Sequence, residues 1–169
     1  MRKLNILKSL VDYVWIITCI PSIIVIPILC VVIFMEPNIM EYTQDIKIPV
    51  TETGLIWPKS VGIFFLLVLY LPIYSLYLFR KNLRKFQEGK PFDNSVILNF
   101  QRIGSILVAT GAILLLLYLF YQFIILDIVK ITFGFTSRIG IICLGLFFMV
   151  LSEIFKIAKN AKEENELTV

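Results

Sequence analysis

Few side chains in this 169-residue chain could carry chemistry, and their spacing limits what it would be. There is no histidine, so the commonest general base and the commonest pH switch are missing. Cys19, Cys30 and Cys143 all fall inside apolar runs, where they act as small hydrophobes and set no zinc spacing. Walker A, G-x-G-x-x-G, H-E-x-x-H and G-x-S-x-G patterns are absent, and so are paired aspartates or a serine-histidine pair for intramembrane proteolysis. The remaining carboxylates on the basic side, Glu88, Asp93 and Glu153, have no catalytic spacing. The reading is a non-enzyme with no cofactor and no metal.

Two ionisable groups nevertheless stand out. Only 14 residues, Ile139 to Ser152, separate Arg138 from Glu153. That is too few to cross a hydrocarbon core of about 30 Å at about 1.5 Å per residue, so one or both charges must snorkel from a terminal turn. An intramembrane charge is a functional hypothesis by default, and Glu153 could serve as a cation or proton site. The competing reading makes it an interfacial anchor, because Lys156 lies one turn later.

These groups must be positioned by membrane-spanning helices. With 59% hydrophobic residues and a mean hydropathy of +0.89, the chain is too apolar for a soluble domain. Four apolar runs predict spans at about 13–35, 60–79, 103–126 and 134–155, in a single membrane domain covering 1–169. Tyr13 and Trp15 mark the boundary of the first span, which is too long for a signal peptide and lacks a small-residue cleavage site, so it reads as an uncleaved anchor. Pro21 and Pro27 predict kinks in it, which could shape its packing or serve a hinge or ion path; Pro72 lies inside the second.

Between the first two spans, residues 36–59 carry Glu36, Glu41, Asp45 and Glu52 against Lys47 and Lys59 and form the outer loop. Asp45 to Val50 alternates polar and apolar residues and Thr53-Gly54 signals a turn, so a short extended segment is expected there. Asp127 and Lys130 stand at ion-pair spacing in the second outer connection. Residues 80–102 form a basic hairpin. It holds Arg80, Lys81, Arg84, Lys85, Lys90 and Arg102 against Glu88 and Asp93, which equals the chain's entire formal net charge of +4. Gly89 and Pro91 end one helix, and Asp93 is a good N-cap for the next, with Phe92 and Ile97 at the staple positions. The six cations are the candidate contacts to anionic lipid headgroups, which account for the basic balance without any direct nucleic-acid partner.

Twelve of the 16 Lys and Arg residues lie before the first span, in the hairpin or after Ser152. By the positive-inside rule both termini are cytoplasmic, giving an all-α, four-helix integral membrane bundle. Gly104, Ser105, Ala109, Gly111 and Ala112 form a small-residue face on the third span, for internal packing or for a homo-oligomer, and Thr136 with Gly140 gives a second such pair.

The last stretch is a polar tail, residues 156–169, ending in Glu163, Glu164, Asn165, Glu166, Leu167, Thr168 and Val169. Its LSEIFKIAKNAKEENELTV, together with FRKNLRKFQEGKPFDNSVILNFQRIG around the hairpin, resembles the YoaS-like family of bacterial membrane proteins of unknown function, the DUF2975 type. The resemblance is most specific at Gly89, Pro91, Phe92 and Gly104 and at Glu153 with Glu163 to Val169. It implies a multi-pass protein of the bacterial cytoplasmic membrane that pairs with a cytoplasmic helix-turn-helix regulator. It supplies no catalytic or ligand residues. The tail then reads either as a solvated end or as a docking peptide for that partner. A regulatory or interaction protein is the first functional reading, and a small transporter or channel subunit using Glu153 or Arg138 is the alternative.

Overall fold

The computed structural model describes residues 2–35, 56–125 and 136–167. Five helices lie in these segments: α1 Arg2–Met35, α2 Ile56–Val68, α3 Tyr70–Gln87, α4 Asn94–Ile125 and α5 Ser137–Leu167. Helices α2 and α3 together make one span, so four stretches are long and apolar enough to cross a membrane. The described residues hold no strand. Most of the outer loop, including Asp45 to Val50 and Thr53-Gly54, lies outside the described residues, as do Leu126, Asp127, Lys130 and the expected start of the last span.

Proline acts differently in the two N-terminal spans. Helix α1 continues through both Pro21 and Pro27, so neither interrupts it. The interruption falls instead at Leu69, three residues before Pro72. Pro72 has no N–H to give to the Val68 carbonyl and its ring crowds that oxygen. The Leu69 amide donates to Leu66 O at 3.2 Å, a tighter bond than the helical one.

The hairpin turn is set by local chemistry. Gly89 adopts a φ of 72°, which a side chain would resist. The Lys90 amide donates to Lys85 O at 3.1 Å and the Gly89 amide to Phe86 O at 3.2 Å, the paired bonds of a Schellman motif. Four residues later the Asp93 carboxylate accepts from the Ser95 amide at 2.9 Å, capping α4.

Helix α4 packs most extensively on α5 and next on α3, while α1 joins the bundle through α3 and α2. Three glycines let α4 and α5 meet backbone to backbone. A Cβ on Gly145 would lie 2.8 Å from both Gly104 O and Val108 N, and one on Gly111 would lie 3.1 Å from Arg138 O. The small-residue face expected on the third span is therefore two faces: Gly104 and Gly111 are buried against α5, whereas Ser105, Ala109 and Ala112 are exposed.

The densest core sits at the hairpin end rather than at the middle of the spans. Leu78, Val96, Phe100, Ile103 and Leu107 are buried, surrounded by Phe79, Phe86, Phe148 and Phe155. Phe86 stacks on Phe155 at 5.7 Å and Phe100 on Phe148 at 6.0 Å. Between lipid-facing helices apolar burial gives little net drive, because lipid tails are as apolar as the side chains. Beside the charged hairpin, where water is present, burying a phenylalanine contributes about 1.5–3 kcal/mol.

Candidate interaction surface at the hairpin end

Contacts across the chain bring its first turns, the hairpin and the end of α5 to one end of the bundle. Gln87 donates to Asn5 at 2.8 Å, Arg80 pairs with Asp12, and Lys159 donates to Asn94 at 2.7 Å.

The six hairpin cations divide by environment. Arg80 is committed to the protein: it is ion-paired to Asp12 of α1, and its guanidinium lies 4.8 Å from the Trp15 ring centroid. A cation held between a carboxylate and an indole face has little left for a headgroup. Lys85 bridges Glu88 at 3.7 Å and Asp93 at 3.3 Å. Arg84 reaches Glu88 at 3.5 Å but keeps 75% of its side chain exposed. Lys81, Lys90 and Arg102 are exposed and form no ion pair among the described residues, so with Arg84 they make the accessible cationic surface. The Asp93 carboxyl is held below the usual carboxylate range, first by the Ser95 amide and then by Lys85.

Beneath these charges lies a polar network that the sequence reading missed. Asn99 of α4 donates to Asn82 Oδ1 of α3 at 2.8 Å, Asn82 donates to Val96 O at 3.3 Å, and Ser152 of α5 donates to Ile97 O at 2.8 Å. All three side chains are buried. The available signal was register: Asn82 is one helical turn from Leu78 and Phe86, and Asn99 one turn from Val96 and Ile103.

The two intramembrane candidates are placed far apart. Glu153 lies on the outside of α5, with 66% of its side chain exposed and Lys156 at 3.9 Å. Arg138 stands at the other end of the apolar stretch, its guanidinium 3.6 Å from the centroid of the Tyr118 ring. The structure does not bring them together.

Helix α5 runs unbroken from the aromatic core through the tail to Leu167. Glu163, Glu164, Asn165, Glu166 and Leu167 are exposed, while Thr168 and Val169 lie outside the described residues. Lys159 pairs with Glu163 at 3.3 Å and Lys162 with Glu166 at 3.6 Å. Both pairs run Lys before Glu, the weaker order on a helix, and three glutamates crowd the negative end of the helix dipole. The tip is thus a helical, acidic projection with little intrinsic support. Among the described residues no cluster of three or more His, Cys, Asp or Glu could hold a metal ion. The three cysteines are free, Cys19 and Cys30 half-buried and Cys143 exposed.

No curated protein and no solved structure matches the chain. Residues 8–169 match the family described as protein of unknown function (DUF2975), and the chain belongs to that family.

Proposed function

We propose that this is a non-enzymatic regulatory or interaction protein of the bacterial cytoplasmic membrane, with both ends and the hairpin on the cytoplasmic side. The observation that carries the proposal is the continuity of α5, which leads without a break from the packed aromatic core at Phe155 to the exposed acidic tip. A displacement among the spans would shift that tip as one body, since Lys159 and Ser152 tie α5 to α4. In this reading Lys81, Arg84, Lys90 and Arg102 rest on anionic headgroups, and the tip offers a docking site to a soluble partner with a basic surface. A helix-turn-helix regulator, which is basic where it meets DNA, has the complementary charge.

The transport alternative asks Glu153 to face a polar cavity within the bundle. Its exposed position beside Lys156 supports an interfacial anchor instead.

The test is affinity purification of the intact protein from its native membrane beside a variant lacking Glu163 to Val169. Recovery of a soluble DNA-binding protein with the intact chain alone supports the proposal. The same partners with both chains, or none with either, refutes docking through the tail.

A further inference from the structure

Arg138 lies deeper than the end of a span. Its carbonyl faces Gly111 of α4, eight residues beyond Ile103 and fourteen short of Ile125, where α4 ends. At about 1.5 Å per residue that is roughly 12 Å and 21 Å along the helix, so the first turn of α5 begins inside the apolar layer. The side chain extends toward Tyr118, about 10 Å further along α4. Apart from that ring, the guanidinium meets no carboxylate and no hydrogen-bond acceptor among the described residues.

A second observation falls at the same place. Gln122, one turn beyond Tyr118, is only 5% exposed; its amide nitrogen donates to the Tyr118 hydroxyl at 2.7 Å, while its amide oxygen has no partner. Turning the amide over lets the oxygen accept from that hydroxyl and frees the N–H₂ as a donor. Among the described residues, a guanidinium without a counter-charge and an incompletely bonded buried amide thus flank one tyrosine in an apolar setting. Either would cost several kcal/mol if left so. The apolar surround is open, with Leu119 and Ile139 exposed.

We infer that Arg138, Tyr118 and Gln122 form a binding site for an oxyanion carried on an apolar chain: a carboxylate or phosphate bound by the guanidinium fork and the amide, its acyl chain along Leu119 and Ile139. This site is independent of the docking tail. A fatty acid and an anionic phospholipid share this chemistry.

Native mass spectrometry of the intact protein with oleate, dioleoylphosphatidylglycerol or dioleoylphosphatidylcholine tests it. Wild type holds one anionic amphiphile more firmly than the neutral lipid, and the oleate and phosphatidylglycerol arms show which head it takes. Replacing Lys81, Lys90 and Arg102 together by Gln leaves that adduct in place. Arg138→Gln lowers its affinity at least about tenfold. Arg138→Lys, which keeps the charge, loses part of it, and Tyr118→Phe, which keeps the ring face, retains most. Those two conservative variants keep the test decisive should Arg138→Gln fail to fold. The inference is overturned if Arg138→Gln or Arg138→Lys binds as wild type does, if the adduct vanishes with the hairpin cations instead, or if the neutral lipid binds equally well.

Discussion

Replacing Gly145 with alanine adds one methyl group at the closest approach of two helices. The new Cβ would lie 2.8 Å from Gly104 O and from Val108 N, about 0.6 Å short of ordinary van der Waals contact. Both atoms are backbone, so no rotamer change relieves the clash and α5 must move away as a body. Overpacking of this kind costs about 1–3 kcal/mol. The gain in helix propensity, about 1 kcal/mol, offsets part of it. A net loss of about 0–2 kcal/mol is expected, read as the midpoint of reversible unfolding in mixed dodecyl maltoside and sodium dodecyl sulfate micelles followed by circular dichroism. Gly62→Ala is the internal control, since a Cβ there meets only Ile33 Cδ1 at an unstrained 3.8 Å, and it should be neutral or stabilising. Gly104→Ala clashes with Gly145 O at 2.7 Å across the same crossing, so the double variant should cost less than the sum of the singles. If Gly145→Ala behaves like Gly62→Ala, the close crossing of α4 and α5 is not how these helices associate.

Removing one partner of the half-buried Asp12–Arg80 pair, by Asp12→Asn or Arg80→Met, should loosen α1 at a cost of about 1–2 kcal/mol, with the double change costing less than the two singles together. A cysteine cross-link between α1 and α3 would report it. Asn82→Leu strands the Asn99 amide and should cost about 1–3 kcal/mol in the same unfolding assay; adding Asn99→Leu should restore part of that. Because the Asp93 carboxyl is held below its ordinary range, its contribution is present above the unfolded carboxylate value and fades as pH falls through the lowered one. Asp93→Ala should therefore unfold more readily than wild type at neutral pH, and the two curves should converge in strong acid.

What was legible in the sequence was whatever is encoded over a few residues. Gly89, Pro91 and Asp93 specify the turn and the start of α4, and the hairpin bonds follow that reading position by position. The four spans follow from unbroken apolar length. The interior of the hairpin end was not legible, because Arg80 and Asp12 are 68 residues apart and nothing in local spacing selects one carboxylate over another. The same applies to Asn82 and Asn99, whose burial depends on α3, α4 and α5 closing over them. Pro72 interrupts its span where Pro21 and Pro27 leave α1 continuous, a contrast that a residue count does not contain. Arg138 was visible as a charge beside a short apolar run, but its depth follows from Gly111, on another helix.

In the proposed function the tip of α5 presents a docking surface to a soluble partner while the spans face lipid. A photo-reactive amino acid placed in turn at Lys162, at Glu166 and at the lipid-facing Leu144, in the intact protein in its native membrane, tests it most directly. A covalent adduct with one soluble, basic protein is expected from the two tail positions and none from Leu144. The absence of any tail adduct, or the same adducts from all three positions, would contradict it.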